Sequence, residues 1–239
     1  MVVAPDKDHG TDVDALLALV NDKTRVVFVA NPNNPTGTFA TDAEIERLHA
    51  GLPADCVFVL DQAYGEYLED DGAASFDLAR KHSNVLVTRT FSKIYGLAAE
   101  RIGWAYGQPG LIATLNRIRA PFNVTSAGQA AAIAALADTD FVANSRQHNR
   151  EWRDWMTGEI ASLSNHGLRA IPSWANFLMI MFEGNCSAET ANKGLMDAGY
   201  IVRWLPGQGL GPGLRITIGS EHENRGVIAA LRAILEQHS

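Results

Sequence analysis

The chain has 239 residues, 46% hydrophobic and 20% charged, with a formal net charge of −7. That length holds one large domain, or one and a half smaller ones, around an ordinary core. The acidic balance and the lack of a basic stripe argue against nucleic acid as a partner. No apolar run approaches the ~20 residues of a membrane span.

Cys56 and Cys186 are too few for a disulfide framework and lack metal-ligand spacing; Cys56 opens an apolar run and reads as a buried thiol. The start, Met1 to Asp8, carries no apolar targeting segment, so cytoplasm is the expected location.

Along the chain, Met1 to Pro5 reads as the end of a strand or a loop, and a helix follows from Asp12 to Val20. Val26 to Ala30, Val57 to Leu60, Val85 to Thr88 and Ile102 to Tyr106 are short apolar runs between polar or Gly residues, the pattern of buried strands. Thr41, with Glu44 three residues on, opens a capped helix. Gly51-Leu52-Pro53 should stop it, through a glycine cap and a proline. Helices are expected over Ser126 to Leu136 and, longer and more polar, Phe141 to Leu163. Strands at Leu168 to Ala170, Phe177 to Phe182, Ile201 to Trp204 and Leu214 to Ile218 alternate with helices at Ala188 to Ala198 and Glu221 to Glu236. The pattern predicts a three-layer α/β domain, 1–145, and a smaller C-terminal α+β domain, 146–239, with the boundary inside the long helix. An open parallel sheet with four strands would be small.

The chemistry sits on strand ends and turns. Lys93 follows a strand within Thr90-Phe91-Ser92-Lys93, at the edge where α/β sheets bind ligands. A lone lysine is far more often a solvated surface group. The hydroxyls of Thr90 and Ser92, with Arg101 further on, change that balance, because a phosphate monoester wants such donors. Asp61 ends an apolar run and so projects from a strand end, with Tyr64 three residues later; alone, that pair reads as a helix cap beside a core tyrosine. Asn34 lies in Asn-Pro-Asn-Asn-Pro-Thr-Gly, a stiff loop that either merely turns the chain or aims an amide at a ligand. Arg215 and Arg203 stand in apolar segments, where a cation needs a buried carboxylate or an anionic ligand; Asn176 offers a further amide. An amine, a carboxylate, a phenol, hydroxyls and guanidinium groups together suit pyridoxal phosphate, which needs a Schiff-base amine and a carboxylate beside its ring nitrogen.

Asn-Pro-Asn-Asn-Pro-Thr-Gly-Thr, Asp-Gln-Ala-Tyr, Arg-Thr-Phe-Ser-Lys with Gly-Leu-Ala-Ala-Glu-Arg-Ile-Gly, Ala-Pro-Phe-Asn-Val and Leu-Arg-Ile-Thr-Ile-Gly occur in one order. In this the chain resembles the class I/II aminotransferases, fold-type I pyridoxal-phosphate enzymes, and most of all their histidinol-phosphate branch. The resemblance runs from about Asp12 to the last helix.

It implies Lys93 as the Schiff-base lysine and Asp61 as partner of the ring nitrogen. Tyr64 and Asn34 would hold the phenolic oxygen, and Thr90, Ser92 and Arg101 the phosphate. Arg215, with Arg203 and Asn176, would hold the substrate, whose anion is a phosphate in that branch. Gln62 stands where the family usually carries Glu, a change expected to be mild.

The family also has roughly a hundred further N-terminal residues, by ordinary domain size. These supply a Gly-Ser phosphate loop, a stacking aromatic ring and an arm closing a homodimer. The implied activity is transfer of an amino group from a small-molecule donor to a 2-oxo acid, in histidine biosynthesis. An aromatic or broad-range aminotransferase, threonine-phosphate decarboxylase and a non-catalytic domain of this type are the alternatives.

Overall fold

The structure, a computed structural model, describes residues 6, 7 and 9–238. The expected segment Met1 to Pro5 lies outside them. Two compact units emerge: one reaches Asn33 and resumes over Thr38–Arg146, the other joins Asn34–Gly37 to the chain from Gln147 onward.

In the first unit a short hairpin pairs β1 (Asp6–Lys7) with β2 (Gly10–Thr11). Helix α1 (Val13–Leu19) starts at Asp12, whose carboxylate accepts from Ala15 N at 2.9 Å. Then come β3 (Val26–Ala30), α2 (Asp42–Ala50), β4 (Val57–Asp61), α3 (Ala73–Lys81), β5 (Val85–Thr90) and β6 (Gly103–Gly107). α4 (Pro109–Ile118), α5 (Ser126–Ala137) and α6 (Thr139–Ala161) follow, and the division between units falls within α6.

The sheet order is β3-β4-β5-β6. β3, β4 and β5 run parallel, because α2 and α3 carry the chain back between them. β6 is antiparallel: between β5 and β6 lies only a loop with a 3-10 turn at Ala98–Glu100, too little for a parallel crossover. The sheet is therefore mixed, where an open parallel sheet was considered. Helices α3 and α4 have no counterpart in the sequence reading.

Side chains alternate across these strands. Val29, Phe58, Leu60, Val85 and Val87 face a core shared with α1, α2 and α3. Asp61, Thr88 and Thr90 have the opposite parity.

The Thr41 capping box forms as the sequence predicts. The helix stops at Gly51 as expected, with the cap's φ of −88° right-handed rather than left-handed. Cys56 is fully buried.

In the second unit β7 (Leu168–Ala170), β8 (Phe177–Phe182), β9 (Arg203–Leu205) and β10 (Leu210–Thr217) form an antiparallel sheet of order β7-β8-β10-β9. α7 (Ala188–Asp197) and α8 (Glu221–Glu236) accompany it. Every residue of β8 is buried. Leu178 and Ile180 enter a cluster with Met156, Ile160, Leu195 and Leu231, while Met179 and Met181 face Ile171, Leu205 and Leu210. β9 begins two residues later than expected, since Ile201 is 81% exposed. β10 begins earlier, at Leu210, with a register shift against β9 before Leu214.

Candidate active site

The chemistry-bearing groups of the first unit collect at the C-terminal ends of its parallel strands. Asp61 is the last residue of β4, paired in register with Ala30 of β3 and Thr88 of β5. Its carboxylate is exposed and accepts from Ala63 N at 3.1 Å, a local turn that leaves the group facing outward. The chain then tightens, Gly65 N donating to Gln62 O at 2.9 Å, and this delivers Tyr64 to a buried position with 4% exposure.

Lys93 stands 5.1 Å from the centroid of the Tyr64 ring, within cation–π range. Its loop folds on itself: Leu97 N donates to Phe91 O and Gly96 N to Lys93 O, both at 2.9 Å, and the Phe91 ring lies 5.0 Å from Tyr95. A half-buried amine is thus held over the ring of Tyr64, three residues along the chain from the exposed Asp61 carboxylate.

The three expected phosphate donors are linked. The Thr90 hydroxyl accepts from Ser92 N at 3.0 Å and donates to Ile102 O at 3.3 Å. Ser92 Oγ accepts from Arg101 Nη1 at 3.3 Å, and the same nitrogen donates to Ala98 O at 2.8 Å. Arg101 has a positive φ of 56°, sparsely populated for a residue with a Cβ, and its side chain is exposed. A fork, two hydroxyls and a turn of backbone within one loop offer an anion several charge-assisted bonds.

The Asn31 loop is tied back to Ala40 through its first side chain. The Asn31 side chain brackets Ala40, donating to its carbonyl and accepting from its N–H, each at 2.8 Å.

In the second unit Asn34 accepts from Arg215 Nη1 at 2.6 Å, and the Arg215 guanidinium lies 4.9 Å from the Phe177 ring. What faces Arg215 in these contacts is an amide and an aromatic face. Arg203 is its cross-strand neighbour in the β9–β10 register. Both arginines line a cavity of about 670 Å³ with Tyr200, Thr217, Glu223 and Asn224. Two cations set opposite each other repel unless an anion joins them. Asn176 is half-buried, and its carbonyl accepts from Ile218 N at 2.9 Å.

Two residues behind the site, Arg89 and Glu66, were not singled out from the sequence. Arg89, on β5, forms an ion pair with Glu66 at 2.9 Å, the two side chains 3% and 6% exposed. It also donates to Gln62 Oε1 from Nη2 at 3.0 Å. Burial pushes the Glu66 carboxyl upward against the opposing pull of Arg89. Tyr67 and Tyr95 nearby are raised too, first by burial and then by Glu66. The signal was available: Arg89 is a cation in an apolar strand, the same feature that drew attention to Arg215.

Residues 1–234 match the family model described as aminotransferase class I and II. The histidinol-phosphate aminotransferase of Sphingopyxis alaskensis is 63% identical over 98% of this chain, covering 63% of that protein. That of Zymomonas mobilis is 61% identical over 99% of this chain and 64% of its own length. The chain thus spans less than two thirds of either relative. Among solved structures, histidinol-phosphate aminotransferase from Sinorhizobium meliloti in complex with pyridoxal-5'-phosphate superposes with a TM-score of 0.88 at 31% identity. It covers all of this chain and 65% of that one.

Proposed function

The chain belongs to the class I and II aminotransferase family, and on that premise we propose that the whole protein is a pyridoxal-phosphate-dependent transaminase acting on histidinol phosphate in histidine biosynthesis. The observation that carries the reading is the linked set Thr90, Ser92 and Arg101 beside Lys93, over Tyr64, at the strand end that presents Asp61. The identity to named relatives supplies the substrate. Residues 1–145 form the cofactor-binding part and 146–239 the smaller domain in this reading.

The donor set fits the cofactor: one amine, one exposed carboxylate, a phenol, and an arginine with two hydroxyls for a phosphate. When bound, pyridoxal phosphate supplies an aldehyde that takes up amines and an electron-withdrawing ring. Lys93 Nζ is the amine that would hold it, and the same nitrogen would take and return the substrate's Cα proton. The Asp61 carboxylate would keep a proton on the ring nitrogen. The Tyr64 hydroxyl and the Asn34 amide would donate to the ring oxygen. Thr90, Ser92 and Arg101 would bind the cofactor phosphate, while Arg215, assisted by Arg203 and Asn176, would bind the anionic group of the amino donor. A 2-oxo acid then accepts the amino group.

The localisation proposed with this activity is cytoplasmic and the assembly a homodimer; no helix among the described residues is long and apolar enough to cross a membrane. Transamination of histidinol phosphate, aromatic amino acids and threonine phosphate by the purified protein with pyridoxal phosphate tests the reading. Histidinol phosphate should give the highest kcat/KM. A preference for aromatic donors, or release of carbon dioxide from threonine phosphate, would overturn the substrate assignment.

A further inference from the structure

Behind the strand ends lies a buried polar network that the proposed chemistry does not use. Gln62 and Arg89 have the parity of Leu60 and Val87, so they lie on the helix-facing side of the sheet, one residue from Asp61 and Thr90 on the opposite side. Arg89 spreads its fork over three separate segments. Nε and Nη2 donate to Gln62 Oε1 at 3.3 and 3.0 Å, Nη1 meets Glu66 Oε1 at 2.9 Å, and Nη2 also reaches the Asp71 carbonyl. Gln62 is fixed from its other end, its amide donating to Ser75 Oγ at 2.7 Å. Arg146 completes the cluster, donating from Nε to Glu66 O at 2.7 Å and pairing with the Asp71 carboxylate.

The surrounding backbone is shaped to admit this fork. A Cβ at Gly65 would stand 2.5 Å from Arg89 Cζ, and one at Gly72, whose φ is +64°, would stand 2.7 Å from Gln62 Nε2. The Phe76 ring covers the guanidinium at 5.1 Å. One glycine against the guanidinium, a second against its partner Gln62 and an aromatic ring over the cation mark a built site rather than a chance pair. Removing a buried charge from water is unfavourable unless its geometry is well satisfied. An apolar side chain in β5 would fill the same space without that penalty.

We propose that Arg89 is a positioning residue for the cofactor-facing groups, its planar fork locking the Asp61–Tyr64 turn and the Thr90–Lys93 loop into one arrangement. Three members of the network are sequence neighbours of groups that would touch cofactor: Gln62 of Asp61, Glu66 of Tyr64 by two residues, and Arg89 of Thr90. A lysine at position 89 would keep the charge but offer a point donor, unable to hold Gln62 and Glu66 together in a plane. Small displacements of reacting groups reduce rate steeply, so the network acts through placement.

The inference rests on the reading of this site as a pyridoxal-phosphate site, and the test separates the two. Wild type and Arg89→Lys are titrated with pyridoxal phosphate by absorbance and fluorescence, below the melting temperature of both, and Glu66→Gln, nearly isosteric, is read beside them in case Arg89→Lys does not fold. Each variant with intact far-UV circular dichroism should bind the cofactor roughly tenfold or more weakly. In the active protein kcat should fall while KM for the amino donor holds within about twofold, since the anion-binding arginines are untouched. A folded variant that binds pyridoxal phosphate as wild type does, and loses only melting temperature, would overturn the positioning role. Wild type that binds no pyridoxal phosphate would instead overturn the reading of the site.

Discussion

The β8 strand of the second unit and the β6 strand of the first behave oppositely. β8 is buried at all six of its residues, between two apolar clusters. β6 is exposed at four of five, and nearby α4 contributes no buried residue. The second unit is held by a packed core, and its chemistry amounts to arginines in one sheet and an amide that meets one of them. The first unit has a smaller core on one sheet face and places its amine, carboxylate, phenol and hydroxyls at strand ends. Substitutions should divide accordingly: strand-end changes in the first unit remove function and spare stability, and core truncations in the second do the reverse.

The largest expected effect is at Asp61. Its carboxylate is exposed and has one local hydrogen bond, so Asp61→Ala should leave the melting temperature nearly unchanged. Turnover of the whole protein should fall on the order of a thousandfold, about 4 kcal/mol of barrier. A variant with near-normal turnover would make Asp61 a turn-forming residue and erase the contrast.

Leu214 sharpens the other side. It is fully buried in the second unit's core beside Arg215, and Leu214→Ala should lower unfolding free energy by about 2–5 kcal/mol in urea titrations. A loss under about 1 kcal/mol would show a looser core than the clusters suggest.

Smaller effects belong to the helix ends. Thr41→Ala removes a capping box and should cost about 1 kcal/mol. At the corresponding box of α8, the N–H and hydroxyl of Ser220 hold the Glu223 carboxyl below its usual range. A depressed carboxylate stabilises the fold above its unfolded pKa, and that help is lost as pH falls through the folded value. The destabilisation from Glu223→Ala should therefore shrink on acidification; a loss that persists in acid would contradict the sign. Least of all, Phe28→Ser on edge strand β3, at 71% exposure, should change stability by no more than about 0.5 kcal/mol while reducing self-association in light scattering.

Local chemistry was legible in the sequence where it acts over a few residues. The Thr41–Glu44 cap, a strand at Val26–Ala30 and the all-apolar β8 follow from spacing alone, but the burial expected of the first and last strands of the first sheet does not: β3 has one buried residue in five and β6 none. Asp61 could be put at a strand end because an apolar run stops there. What escaped reading is long-range. Gln62 and Arg89 are 27 positions apart and meet only because β4 and β5 pair in parallel. α3, with its mixed composition Ala-Ala-Ser-Phe-Asp-Leu-Ala-Arg-Lys and a glycine at its N-cap, gives no capping signal. Likewise Gly-Pro-Gly inside β10 reads as a turn, although pairing with β8 extends over its last glycine. Arg215 was expected to meet an anion, and its hydrogen bond to Asn34 spans 181 positions that no local pattern encodes.

The central claim is that Lys93 is the amine that holds the cofactor. Borohydride reduction of the protein with pyridoxal phosphate, followed by peptide mapping, tests it most directly. The account predicts the pyridoxyl label on Lys93, abolished in Lys93→Ala. A label on Lys81 or Lys193, or one that survives Lys93→Ala unchanged, would contradict it.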